Sequence, residues 1–73
     1  MTVFADLYEL PEDQQIDLIR ATVLEGNTVG IFVDDFAKAD RYLRKLGPMV
    51  REISRTRDLV KGSVFVKLGP RLQ

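Results

Sequence analysis

Basic side chains recur along one stretch, Arg51-Glu52-Ile53-Ser54-Arg55-Thr56-Arg57-Asp58-Leu59-Val60-Lys61. A guanidinium presents a planar fork of donors that matches a phosphate or a carboxylate. Alternate residues of a strand share a face, so Arg51, Arg55 and Arg57 can form one basic strip, with Lys61 at its end. These four are the candidate partner-binding residues, and Arg41, Lys45 and Arg71 are available to extend the patch. A competing reading is intramolecular: acids elsewhere in the chain pair with these bases across the fold, at little gain per exposed pair.

Reactive chemistry has few residues to draw on. The chain has no cysteine and no histidine, which removes disulfides, most zinc sites and most nucleophile–base pairs. An enzyme would have to work with carboxylates, lysines and tyrosines alone. The expectation is therefore a protein without catalysis, metal or cofactor. Seventy-three residues suit one small domain, residues 1–73, near the lower limit for a self-sufficient core. No apolar run reaches membrane-spanning length, and the start Met-Thr-Val-Phe-Ala-Asp lacks the basic and apolar regions of a signal peptide. A monomer in the cytoplasm, away from membranes, is expected.

The formal net charge is zero, yet the charge is polarised. Residues 1–37 hold eight acids and one base, about −7, and residues 38–73 hold ten bases and three acids, about +7. Asp6, Glu9, Glu12, Asp13 and Asp17 make an acidic patch able to dock on a basic region of a larger assembly. Dense acids near a helix start are also routine. The bases Lys38, Arg41 and Lys45 read first as the solvated face of a helix.

These side chains must be positioned by a small number of elements. Thr28-Val29-Gly30-Ile31-Phe32-Val33 is β-branched and apolar between Gly26-Asn27 and Asp34-Asp35, the signature of a central strand. Val29, Ile31 and Val33 share its core face and Phe32 points the other way. Before it, Pro11 to Leu24 reads as a helix with Ile16, Ile19 and Val23 on one buried stripe. Leu24 flanks that stripe and Leu18 lies off it, a second apolar patch that reads as contact with the core or with a partner, the core being the expectation. After it, Phe36, Ala39, Leu43 and Leu46 form the stripe of a helix over residues 36–46. Asp34 or Asp35 caps this helix, Tyr42 lies on its flank, an Asp40–Arg44 pair supports it, and Gly47-Pro48 ends it. Strands follow over residues 49–55 and 63–68, and residues 2–10 read equally as an edge strand or a helical turn. The order is a split βαβ unit whose third strand can lie antiparallel between the other two. The fold class is thus α+β: a small, mainly antiparallel sheet of about three strands with two helices.

Two resemblances follow from these residues. Ile31-Phe32-Val33 and Lys61-Gly62-Ser63-Val64-Phe65-Val66-Lys67-Leu68 resemble the short and long hallmarks of an RNA-recognition motif. The resemblance implies Phe32 and Phe65 side by side for base stacking, with Lys61 on phosphate. The chain departs from that family in having Ser63 at the third stacking position and no second helix or fourth strand after Leu68. The alternative places both phenylalanines beneath helix 11–24 or the N-terminal segment, and burial is the expectation here. Rings buried in this way favour protein recognition, and exposed rings beside bases favour RNA.

The opening Met-Thr-Val-Phe-Ala-Asp-Leu-Tyr-Glu-Leu-Pro-Glu-Asp-Gln-Gln, together with the length and cysteine-free α/β character, resembles the small transcription regulators of lytic Xanthomonas phages. That resemblance implies a non-enzymatic viral factor in the host cytoplasm. It would bind the N-terminal part of the β′ subunit of bacterial RNA polymerase, inhibit σ-dependent initiation and promote antitermination. It specifies no contact residue. The RNA-recognition reading adds direct contact with nascent RNA, and a small toxin- or antitoxin-like dimer is a third class.

Overall fold

A computed structural model of the chain describes residues 2–4 and 10–71. Its elements are β1 (Thr2–Phe4), α1 (Glu12–Leu24), β2 (Thr28–Val33), α2 (Phe36–Leu46), β3 (Val50–Arg57) and β4 (Val64–Pro70). They form an α+β fold with one sheet in the order β1-β2-β4-β3. The split βαβ unit is present: β4 runs antiparallel between β2 and β3, with Ile31 opposite Val66 and Phe32 opposite Phe65. A fourth strand joins from the N-terminal side, where β1 pairs parallel with β2, Thr2 opposite Thr28. The segment 2–10 therefore begins as an edge strand, and residues 5–9 lie outside the described residues.

Both parallel connections, β1-α1-β2 and β2-α2-β3, step the same way across the sheet. Parallel crossovers share one hand, so both helices must land on the same face. The core agrees. Ile16, Ile19 and Val23 of α1 and Ala39, Tyr42 and Leu46 of α2 are buried against Val29, Ile31, Val33, Val50, Val64, Val66 and Leu68. Every one of these strand residues belongs to the helix-covered face.

Local chemistry sets the helix ends. Pro11 precedes α1, its carbonyl accepts from Gln15 N–H at 3.0 Å, and Glu12 and Asp13 occupy the first turn, where the dipole favours acids. Asp35 caps α2, its Oδ1 accepting from Lys38 N–H at 2.8 Å. At the other end of α2, Arg20 of α1 donates from Nε to Leu46 O at 3.2 Å and from Nη2 to Lys45 O at 2.6 Å. These bonds satisfy carbonyls that a helix end leaves without partners.

Five side-chain expectations are corrected. Leu18 and Leu24 are exposed, because α1 meets the sheet along the single stripe Ile16, Ile19 and Val23. Phe36 is exposed as well and Leu43 only partly buried, whereas Tyr42 is buried. The contact face of α2 is rotated towards α1, where Tyr42 Oη donates to Gln15 Oε1 at 2.5 Å. That bond gives a buried hydroxyl its partner. No helix among the described residues is long and apolar enough to cross a membrane.

Candidate interaction surface

The basic strip is divided by a bulge. The pairing of β3 with β4 shifts register between Glu52 and Ser54, so the extra residue Ile53 reverses the alternation beyond it. Arg55 opposes Val66 and Arg57 opposes Val64, both core-face residues, whereas Arg51 opposes Gly69 at the other end of the strand. Arg55 and Arg57 therefore lie on the helix-covered face and Arg51 on the open one. Gly69 accommodates the bulge: a Cβ there would stand 2.7 Å from Ile53 Cδ1, which only glycine avoids without displacing that side chain.

The expected strip also loses Arg55 to internal pairing. Its Nη2 donates to Asp40 Oδ1 at 2.7 Å and its Nε to Glu52 Oε1 at 2.6 Å. Hydrogen bonds to these two carboxylates raise its pKa further. Asp40 thus turns to Arg55, in place of the pair expected with Arg44. Among the described residues, pairing across the two charge halves involves Glu12 and Asp13, and Asp34 at 3.7 Å from Lys38. Glu12 accepts from Arg41 at 2.7 Å and Lys45 at 2.6 Å, and Asp13 lies 3.6 Å from Lys45. The bonds from Arg41 and Lys45 lower the Glu12 pKa to about 2. Arg41 and Lys45 are consequently ion-paired instead of forming a plain solvated face.

Phe32 and Phe65 are directly opposite cross-strand neighbours. Their rings are 5.0 Å apart and tilted by 54°, a geometry typical of attractive aromatic pairs. Phe32 is 45% exposed and Phe65 half-buried. Burial beneath α1 is thus overturned: both crossovers place their helices on the opposite face. With Thr56 and Asp58 the two rings line a shallow, largely apolar concavity of about 550 Å³.

This concavity adjoins the β3–β4 hairpin turn. Asp58 N–H donates to Ser63 O at 2.8 Å and Gly62 N–H to Asp58 O at 2.7 Å. Asp58 Oδ1 accepts from Val60 N–H at 2.9 Å and Lys61 N–H at 3.2 Å, and Gly62 supplies the positive φ, 76°, that closes such a turn. Backbone and Asp58 thus make the turn, which does not need the side chains of Leu59 and Val60. Those side chains are 88% and 95% exposed. Isolated exposed apolar residues are ordinary. Here they lie at the same end of the sheet as Phe32, Phe65 and Phe36, and Phe36 is covered by Arg57 at 4.7 Å and Arg55 at 5.4 Å from its centroid.

The candidate surface is therefore the hairpin end: Phe32, Phe65, Leu59 and Val60, with Lys61 in the turn and Arg57 at the same end of the sheet on its other face. Neither of these two cations forms an ion pair among the described residues. Arg51 stands apart from it. Sequence reasoning passed over Leu59 and Val60 as a connection, although two large aliphatics inside an Asp–Gly-bounded turn were the available signal. Among the described residues no group of three or more carboxylates is arranged to hold a metal. Compared with known proteins, the chain matches no family model, and neither a curated protein nor a solved structure is significantly similar to it.

Proposed function

We propose that this protein is a non-enzymatic regulator that binds bacterial RNA polymerase, inhibiting σ-dependent initiation and promoting antitermination. The opening fifteen residues and their resemblance to small phage regulators suggest the partner and its β′ subunit. The observation that supports a protein contact is the hairpin end, where Leu59 and Val60 project from a turn that does not use them. Interfaces draw most of their energy from a few apolar or aromatic anchors that fill pockets, with a charged rim that steers the encounter. Leu59, Val60 and Phe32 suit the first role, and Arg57 and Lys61 the second. A domain this size offers roughly 800 Å² to a partner, enough to occupy a site where another factor docks.

A second reading, a small RNA-binding module, is favoured by one observation: the exposed Phe32 ring beside Phe65 in the position for base stacking. The deciding experiment is in vitro transcription with purified polymerase at a σ-dependent promoter and terminator, paired with pull-down from nuclease-treated bacterial lysate. Reduced initiation and recovery of polymerase subunits after nuclease treatment support the first reading. Unchanged initiation and termination at large excess of protein refute it. Tight RNA binding by the isolated protein, lost in Phe32→Ala with the fold intact, puts the second reading in its place.

A further inference from the structure

At the end of the sheet opposite the hairpin turn, three arginines converge from three different elements. Arg44 comes from the last turn of α2, Arg51 from the start of β3 and Arg71 from just beyond β4. With Leu43, Pro48 and Val50 they line an open concavity of about 580 Å³. None of the three forms an ion pair among the described residues. Among the described residues, Arg51 donates through its side chain to Pro70 O alone, at 3.3 Å. Glu52, the acid in the lining, is held by Arg55 at 2.6 Å. The C-terminus of a helix ordinarily repels anions, but the last α2 carbonyls, Lys45 O and Leu46 O, are taken by Arg20. Among the described residues, the one acid in the lining is thus engaged by a neighbouring guanidinium, against three arginines on the rim.

We infer that the Arg44–Arg51–Arg71 groove is a second binding site, one that takes an acidic peptide segment carrying an aliphatic side chain. The charge of the rim calls for an anion, and guanidinium forks hold carboxylates in paired hydrogen bonds. The floor calls for something apolar: Leu43 and Pro48, with Val50 buried behind them, give a strip on which an aliphatic side chain can rest. A nucleic-acid backbone has no use for that floor, and its bases stack on aromatic rings, of which the groove lining has none. The site does not depend on the polymerase reading, because its residues are separate from the hairpin end.

Fluorescence anisotropy tests the inference, using a fluorescein-labelled synthetic peptide built from repeated Asp-Glu-Leu units. Wild-type protein is expected to bind it, and more weakly as salt rises from about 50 to about 300 mM. Arg44→Gln, Arg51→Gln and Arg71→Gln are each expected to weaken binding roughly three- to tenfold, the scale of a partly exposed charge contact. Arg44 makes no hydrogen bond through its side chain among the described residues, so its variant isolates binding from folding, and denaturation midpoints check all three. Lys38→Gln, which removes the same charge near the other end of α2, is expected to leave binding unchanged. A peptide with serine in place of leucine is expected to bind several-fold more weakly.

Any of four results overturns the inference. The peptide fails to bind up to about millimolar concentration, the weak limit of a useful contact. The arginine variants bind it as wild type does. An oligouridylate of equal charge binds more tightly through the same arginines. Or the arginines instead mediate self-association that the peptide does not displace.

Discussion

Replacing Leu59 and Val60 together by serine separates a role in binding from one in folding. In the free protein these side chains are 88% and 95% exposed, and the turn beneath them is closed by Asp58 and the backbone. Removing them therefore takes almost no apolar area out of the core, and stability is expected to change by no more than about 0.5 kcal/mol. At a protein contact the effect is different. Full burial of a leucine or valine contributes about 1.5–3 kcal/mol. If each is half covered by the partner, the pair contributes about 1.5–3 kcal/mol, or roughly 10- to 150-fold in Kd. The assay is a titration of fluorescently labelled protein against purified bacterial RNA polymerase, alongside urea denaturation of both forms. A double variant that binds within twofold of wild type refutes the assignment of the hairpin tip. A denaturation midpoint lowered as far as a core truncation would lower it refutes the claim that the turn does not need these side chains.

Two further predictions follow from the packing and the charges. Ile19→Ala removes a side chain that is 1% exposed and is expected to cost about 2–5 kcal/mol, whereas Leu43→Ala, only partly buried, is expected to cost less in the same denaturation experiment. Glu12 has its pKa lowered to about 2 by its bonds to Arg41 and Lys45. Its stabilising contribution is thus complete above the ordinary carboxylate range and is lost as pH falls through that range towards 2. Glu12→Gln is expected to flatten the acid limb of stability against pH, and an unchanged limb in pH-dependent urea denaturation contradicts the pairing.

Much of the architecture was legible in the sequence because it is set locally. The period of Ile16, Ile19 and Val23 marks the buried face of α1, and β-branched alternation marks β2. Asp35, Gly47 and the Gly26-Asn27 pair place helix ends by their own backbone chemistry. Even the antiparallel place of β4 between β2 and β3 follows from element order. What the sequence could not determine depends on pairing between distant segments. A bulge exists only relative to a partner strand, so the separation of Arg51 from Arg55 and Arg57 is invisible in a list of alternating positions. Arg55 lies on the predicted strip in sequence, but the sheet carries it over α2, where Asp40 and Glu52 engage it. The exposure of Phe32 depends on which face two crossovers cover, and that is decided by strand order and handedness together. The convergence of Arg44, Arg51 and Arg71 arises in the same way, because only the assembled sheet brings the end of α2, the start of β3 and the residue after β4 to one place.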